Sequence, residues 1–206
     1  MHSVVLDAYF DAFHRFPPPG PDVLELGSIE TTAERFRAAL PPETRYLGVN
    51  LDVEAEGDGW RIVRGTANHL DLQDASFDAV ICNAMLEHDP AFWLSIAEAK
   101  RVLRPGGVLY LAAPGFSAQV GRLARFALRA KGALQRIGWG NRIIRSRFFG
   151  GLISTRTYPF HARPDDYWRF SPEAMRRVLL AHLDVLEVRE VYSPPRIFGV
   201  GRKPSG

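Results

Sequence analysis

The sequence predicts an α/β domain, a mostly parallel sheet with helices on both faces. Strand-like and helix-like segments alternate from residue 20 to about residue 113, which is the signature of βαβ units. Residues 108–113 form an uninterrupted apolar run, the pattern of a central parallel strand buried on both sides. The 206 residues, 46% hydrophobic and 24% charged, suffice for one domain with a sizeable core and exclude a largely disordered chain.

The elements follow in order. Residues 4–15 place Leu6, Phe10 and Phe13 on one side of a helix, and Pro17-Pro18-Pro19-Gly20 ends it. Residues 22–26 are the first strand. Thr31 or Thr32 caps a helix reaching Leu40, and Pro41-Pro42 stops it before a second strand at 45–49. Residues 60–63 read as a third, short strand, and 79–82 as a fourth behind the turn-rich QDASFD. Residues 91–103 are helical, with Arg101 and Arg104 where a helix dipole favours cations, and Pro105-Gly106-Gly107 closes that helix before the fifth strand, 108–113. Ser171-Pro172-Glu173 opens a last helix running to about His182, with an N-cap and proline at its first position. Residues 183–192 and 197–200 then form two strands close enough to pair as an antiparallel hairpin. The count is seven strands with an antiparallel last strand, in one domain over 1–206, with 116–164 inserted after strand five as a lid.

No apolar run approaches the roughly 20 residues of a membrane span. The start, MHSVVLDAYFDAFHRF, carries acids and no cleavage-like segment. Cys82 is the single cysteine and sits in an apolar run, so neither an internal disulfide nor a CxxC centre is available. A cytoplasmic location is expected. Charge is unevenly placed: residues 116–164 hold ten cations and no acid, so with +3 for the whole chain the remainder carries −7.

Chemistry enters with VLELGS, residues 23–28. A glycine at the carboxyl end of the first parallel strand lets backbone approach a ligand in the crevice where open α/β sheets bind cofactors. Gly27 fills that turn, or simply makes a strand-to-helix connection, and Glu25 can accept hydrogen bonds from a cationic or amino-bearing ligand. VLELGS, YLGVN (46–50), VRGTANHLDLQDASFDAVICNAMLEH (63–88) and RVLRPGGVLYLAAPG (101–115) together resemble the class I S-adenosylmethionine-dependent methyltransferases, in particular the type 11 methyltransferase-domain group. DDYWRFSPEAMRRVL (165–179) is similar to a narrower signature in a subset of these proteins linked to surface-polysaccharide or secondary metabolism, and PPRIFGVGRKP (194–204) to the closing hairpin strand.

The resemblance implies a Rossmann-like methyltransferase fold with S-adenosylmethionine as cofactor and no metal. It implies a cofactor site built from Glu25, Gly27, Ser28, Asn50, Leu51, Thr66, Ala67, Asn68, Asn83 and Met85. The chain departs from the family pattern where Ile29 and Thr31 replace further glycines, and where Asn50 and Thr66 replace acids expected at the ribose and the adenine amino group. An amide can bond both ribose hydroxyls without the strength of a charge-assisted contact.

The implied reaction carries a methyl group to a small or medium-sized acceptor, at oxygen or nitrogen. The alternative is a catalytically silent S-adenosylmethionine-binding or scaffolding protein of the same fold. A protonated acceptor needs a base, and the candidates for work on it are His88, His161, Asp166, Tyr167 and Arg169, with Asp89 and Asp165 nearby. Arg169 would hold an anionic or saccharide-related acceptor bidentately, or else pair with Asp165 or Asp166.

Within the insert, Val120, Leu123, Ala127, Ala130, Leu134 and Ile137 fall on one helical face and Arg122, Arg125, Arg129 and Arg136 on the other. Such a helix can cover the active site with a solvated cationic back, contact a membrane surface peripherally through 118–147, or receive an anionic substrate. The arginines are not interleaved with a stacking platform of aromatic residues, which argues against nucleic acid.

Overall fold

The computed structural model describes residues 3–117, 122–137, 139–146, 148–149, 156–157, 165–192 and 195–205. Among these, helix α1 (Ser3–Arg15) is followed by β1 (Asp22–Leu26), α2 (Glu30–Ala39) and β2 (Arg45–Asn50). A hairpin of β3 (Ala55–Gly57) and β4 (Trp60–Arg64) leads to β5 (Phe77–Asn83), a 3-10 turn at Leu86–His88, α3 (Phe92–Val102) and β6 (Leu103–Pro114). The insert contributes β7 (Phe116–Ser117), α4 (Arg122–Gln135), α5 (Gly140–Ile144) and β8 (Arg156–Thr157). The chain then closes with α6 (Pro172–Ala174), a π-helical turn at Met175–Leu179, β9 (Asp184–Tyr192) and β10 (Pro195–Arg202).

The sheet has eight strands in the order β3-β4-β2-β1-β5-β6-β10-β9. Strands β4, β2, β1, β5 and β6 are parallel, while β10 runs antiparallel to both its neighbours. The expected antiparallel closing hairpin is therefore present, but the expected seven strands become eight. The extra strand is β3, three residues with an acid and a glycine that carry no strand signal. It pairs antiparallel with β4 because Gly57 lies opposite Trp60, and a Cβ on Gly57 would stand 2.3 Å from the indole.

Two cores flank the sheet. On one side α1 and α2 bury Tyr9, Phe13 and Phe36 against Tyr110 and Phe198, with ring centroids 4.8 Å apart for Tyr9–Phe36 and 5.0 Å for Tyr9–Phe198. On the other, α3 and the π-turn bury Ile96, Ala99, Met175 and Leu179 against Leu24, Leu26, Leu109 and Leu111. Strand β1 serves both, Val23 facing the first core and Leu24 and Leu26 the second, as the two-residue repeat of a strand requires.

Local chemistry accounts for the boundaries. Helix α2 starts at Glu30, where Thr32 Oγ1 accepts from the Ile29 amide (3.2 Å) and donates to the Ile29 carbonyl (3.0 Å). Thr32 thus closes the helix start from inside its first turn. Ser171 Oγ accepts the Ala174 amide (3.1 Å), the expected cap. The following segment ends at Leu179 in a wide turn, with the Leu180 amide donating to the Met175 carbonyl (2.9 Å), so it is shorter than a helix to His182. Strand β6 extends back through Pro105-Gly106-Gly107 because Lys203 pairs with both glycines, Gly106 N–H to Lys203 O (2.8 Å) and Lys203 N–H to Gly107 O (2.9 Å).

The insert leaves and rejoins the sheet beside the carboxyl end of β6. Strands β7 and β8 pair at its base, Thr157 Oγ1 donates to the Gly115 carbonyl (2.7 Å), and the Phe170 amide donates to the Pro114 carbonyl (3.0 Å). Helix α4 is present over the predicted basic stretch, while Val120 lies outside the described residues.

Candidate functional site

Strand order reverses between β1 and β5, and open parallel sheets bind ligands at the carboxyl edge of such a switch point. A cleft of about 440 Å³ opens there, within the range of small-molecule sites. Its walls are the ends of β1, β2, β4 and β5.

The β1–α2 turn forms the first wall. Gly27 has φ +75°, a left-handed conformation that disfavours other residues, and a Cβ there would stand 2.7 Å from Met85 Cβ. The amides of Gly27 and Ser28 both donate to the Val49 carbonyl (2.9 and 3.2 Å). Gly48 completes the fit, because a Cβ on it would stand 2.5 Å from Ser28 Cβ. Glu25 lies beneath this turn, 1% exposed, accepting from Tyr46 Oη (2.8 Å) and from Ser28 Oγ. Burial raises its pKa to about 7, against the opposing hydrogen bonds from Ser28, Thr32 and Tyr46.

The second wall is the turn after β2. Asn50 Oδ1 accepts the amides of Asp52 (2.9 Å) and Val53 (3.2 Å), and Asn50 Nδ2 donates to the Ser28 carbonyl (2.8 Å). The carboxamide therefore locks its own turn to the β1–α2 turn, and the turn swings the exposed Asp52 round to the cleft. Leu51, 70% exposed, stands beside it.

The third wall joins the loops after β4 and β5. Asn68 Nδ2 donates to Asp89 Oδ2 (2.8 Å) and to Ser95 Oγ (2.9 Å), Ser95 Oγ donates to Asp89 Oδ2 (2.6 Å), and Asp89 Oδ1 accepts the Ala91 amide (2.8 Å). Asp89 thus braces the start of α3 and the β4 loop at once. Ala84, at the end of β5, has φ +50°, a strained conformation for alanine held by its amide bond to the Ala112 carbonyl (2.9 Å).

Behind His88 lies the segment 165–170, which is stapled to the turn after β5. The Tyr167 and Trp168 amides donate to the Glu87 carbonyl (2.7 and 3.3 Å), Trp168 Nε1 donates to the Asp89 carbonyl (3.0 Å), and Phe92 packs edge-on against Trp168 and Phe170. His88 Nδ1 lies 2.8 Å from the Asp165 carbonyl. That oxygen can only accept, so Nδ1 carries the proton. His88 Nε2 faces Glu87 Oε1 at 3.9 Å, and Arg196 Nη1 approaches the same oxygen at 3.6 Å. Burial raises the Glu87 carboxyl pKa, with Arg196 and His88 opposing.

Residues 38–111 match the family model described as a methyltransferase domain. Over that stretch the chain is similar to methyltransferase domains of the type 11 group. Its sequence is 34% identical over 124 residues to an uncharacterized 37.1 kDa protein in transposon TN4556 of Streptomyces fradiae, covering 54% of this chain and 34% of that protein. The match thus spans about a third of that relative's length. The fold is similar to geranyl diphosphate methyltransferase in complex with SAM (TM-score 0.61, 11% identity, 98% of this chain and 85% of that one). It is also similar to Burkholderia thailandensis 1,6-didemethyltoxoflavin-N1-methyltransferase (0.53, 20%, 98% and 88%). The [4+2]-cyclase SpnF shares it as well (0.62, 14%, 97% and 81%).

The fold brings Gly27, Asn50, Leu51, Thr66, Ala67, Asn68, Met85 and His88 together around the cleft. Glu25, Ser28 and Asn83 are buried at or below its edge and are not among the lining residues. Instead of facing a ligand, Glu25 holds the turn through Ser28, and Asn50 spends its amide on backbone where free ribose contacts were expected. Arg169 is paired bidentately with Asp166 (2.5 and 2.7 Å), with side chains 4% and 1% exposed. The guanidinium is thus committed within the fold, and an open acceptor clamp at this position is replaced by an internal ion pair. Tyr167 is 49% exposed and donates to Asp165 Oδ2 (3.2 Å). His161 lies outside the described residues.

Sequence reasoning set Asp52 aside as too far along to replace the strand-two acid, missed Ala84 and Ser95 as cleft residues, and saw Asp89 only as a candidate base. The pattern Asn-x-Asp at 50–52 is an Asx-turn signal that could have placed Asp52. No comparable signal marks Ala84.

Proposed function

We propose that the chain is an S-adenosylmethionine-dependent methyltransferase acting at oxygen or nitrogen of a small or medium-sized acceptor. The observation that carries this is the cleft of about 440 Å³ at the switch point, with Gly27 in its left-handed turn and no side chain of Ile29 or Arg35 among its lining residues. The cleft fits the adenosyl group in size and in chemistry. Leu51 and Met85 offer apolar surface to the base, the 66–68 backbone offers hydrogen bonds to its edge, and Asp52 is the exposed carboxylate within reach of ribose hydroxyls. The bound cofactor supplies a methyl group on a sulfonium with a good leaving group. The protein's part is to hold the acceptor in line and exclude water.

The acceptor wall in this reading is 165–170, with Tyr167 at the rim and the Asp166–Arg169 pair fixing the loop. An anionic or saccharide-related acceptor would have to find its partners elsewhere than Arg169. His88 is the group assigned as proton acceptor, because it lines the cleft and its Nδ1 proton is held by the Asp165 carbonyl. Glu87 then stands opposite the imidazolium that forms.

The alternative, a silent cofactor-binding protein, is favoured by the occupied Asn50 carboxamide. Calorimetry with S-adenosylhomocysteine, followed by labelled methyl transfer to a panel of amines, phenols, alcohols and carboxylates, separates the two. Binding with turnover is expected. Binding without turnover on every acceptor supports the silent reading, and no adenosyl binding at all sinks both.

A further inference from the structure

The insert is where the chain's apolar and cationic surfaces coincide. Phe126, Trp139 and Phe148 are 70%, 62% and 79% exposed, and Ile137 and Ile143 share the same stretch at 41% and 37%. Arg129, Arg136, Arg142 and Arg145 are exposed among them, and no ion pair of the described residues involves these four. The sequence adds that no acid occurs anywhere in 116–164.

A simple lid, with its apolar side on the active site and a solvated cationic back, would expose cations and cover its aromatics. What is exposed is both together, in one segment whose own sequence holds no acid. Arginines beside large apolar side chains are the composition of a helix lying at a bilayer surface, where the cations meet acidic headgroups and the rings enter the acyl boundary. The sequence expectation that the arginines stand apart from aromatic residues does not hold here, since Phe126, Trp139 and Phe148 are exposed among them, and a single-stranded nucleic-acid platform also combines cations with rings. The aliphatic Ile137 and Ile143 have no stacking face, yet they suit a lipid boundary.

We propose that the insert is a peripheral docking surface for anionic membranes, lying in the headgroup plane. None of the described helices is long and apolar enough to cross a membrane. The base of the insert is pinned at the carboxyl end of β6, the edge on which the cleft opens, by the β7–β8 pair and the Thr157–Gly115 hydrogen bond. Docking therefore brings the cleft's edge of the sheet toward the bilayer. On the methyltransferase reading above, on which only this clause rests, the acceptor then arrives from the lipid side.

The test is co-sedimentation of the full chain with phosphatidylcholine vesicles, with and without roughly a third phosphatidylglycerol, at low and high salt. Binding to the anionic vesicles is expected to exceed binding to the neutral ones by about tenfold or more and to fall with salt. A blue shift of tryptophan emission on binding should disappear in Trp139→Phe. The triple variant Arg129→Glu/Arg136→Glu/Arg142→Glu and the double variant Phe126→Ser/Phe148→Ser should each lose about tenfold in vesicle affinity. Both should keep the parent's circular dichroism and S-adenosylhomocysteine affinity, which separates loss of docking from loss of the cofactor site. Equal binding to neutral and anionic vesicles, variants that bind as the parent does, or tighter binding of a single-stranded RNA oligomer than of vesicles would each overturn the proposal.

Discussion

Asn50→Asp offers the sharpest contest between family pattern and local geometry. It restores the acid that the type 11 group carries at the end of its second strand, so the resemblance by itself predicts tighter cofactor binding. The structure predicts the reverse. Asn50 Nδ2 donates to the Ser28 carbonyl at 2.8 Å while Oδ1 accepts two amides. Aspartate keeps the two accepted bonds and replaces the donor with an oxygen facing an oxygen. Leaving a largely buried acceptor unpaired costs about 1–3 kcal/mol, and in a domain of this size each kcal/mol lowers the melting temperature by about 2–4 °C. The expected result is a melting temperature lower by about 2–12 °C and no gain in S-adenosylhomocysteine affinity, measured by differential scanning and titration calorimetry. Asp52→Asn is the companion, losing a charge-assisted ribose contact and weakening affinity about tenfold with little change in melting temperature. An Asn50→Asp protein that melts with the parent and binds the cofactor more tightly would refute the geometric argument.

Three further outcomes follow from contacts already described. Glu25 holds its proton to about pH 7 when folded against an ordinary value of 4.5, so its contribution is fully present below about pH 4.5 and is lost as pH rises through 7. Glu25→Gln should therefore remove roughly 3 kcal/mol of pH dependence between pH 4.5 and 8, read as the difference between the two proteins in urea denaturation. Asp166→Ala removes the bidentate carboxylate from the buried Arg169 guanidinium and should cost about 3–5 kcal/mol; Asp166→Ala/Arg169→Met should recover part of it, and an additive double variant would argue against a true pair. Gly48→Ala places a methyl 2.5 Å from Ser28 Cβ and should cost about 1–3 kcal/mol and cofactor affinity, whereas Gly65→Ala, whose nearest neighbour is Val49 Cγ1 at 3.1 Å, should change both less.

The scaffold was readable because its signals are local. Apolar runs such as 108–113 and the Ser171-Pro172 cap each mark an element from a few adjacent residues, and β1, α6's start and the closing hairpin appear where those signals put them. Strand β3 was not readable, since its pairing depends on Trp60 lying over Gly57. The same divide runs through the site. The strand-end glycine signal placed Gly27 at the cleft and the family resemblance placed Met85 there, but the orientation of Glu25, Asn50 and Arg169 is decided by Tyr46, Ser28 and Asp166. The partners of Glu25 and Asn50 are twenty-one and twenty-two positions away, where no spacing rule singles them out, whereas Asp166, three positions from Arg169, was one of the two pairings the sequence offered. Polar side chains near a ligand cleft can serve the ligand or the turn that shapes it, and only the partner distinguishes the two.

The two-residue ribbon of β7 and β8 has a consequence for how such a protein can change. Among the described residues the insert meets the sheet edge at this pair, while the register of β5, β6 and β10 is set without it. Drift, lengthening or wholesale exchange of that cassette would leave the parallel sheet standing, so related chains could be re-addressed to new surroundings by trading one surface excursion for another.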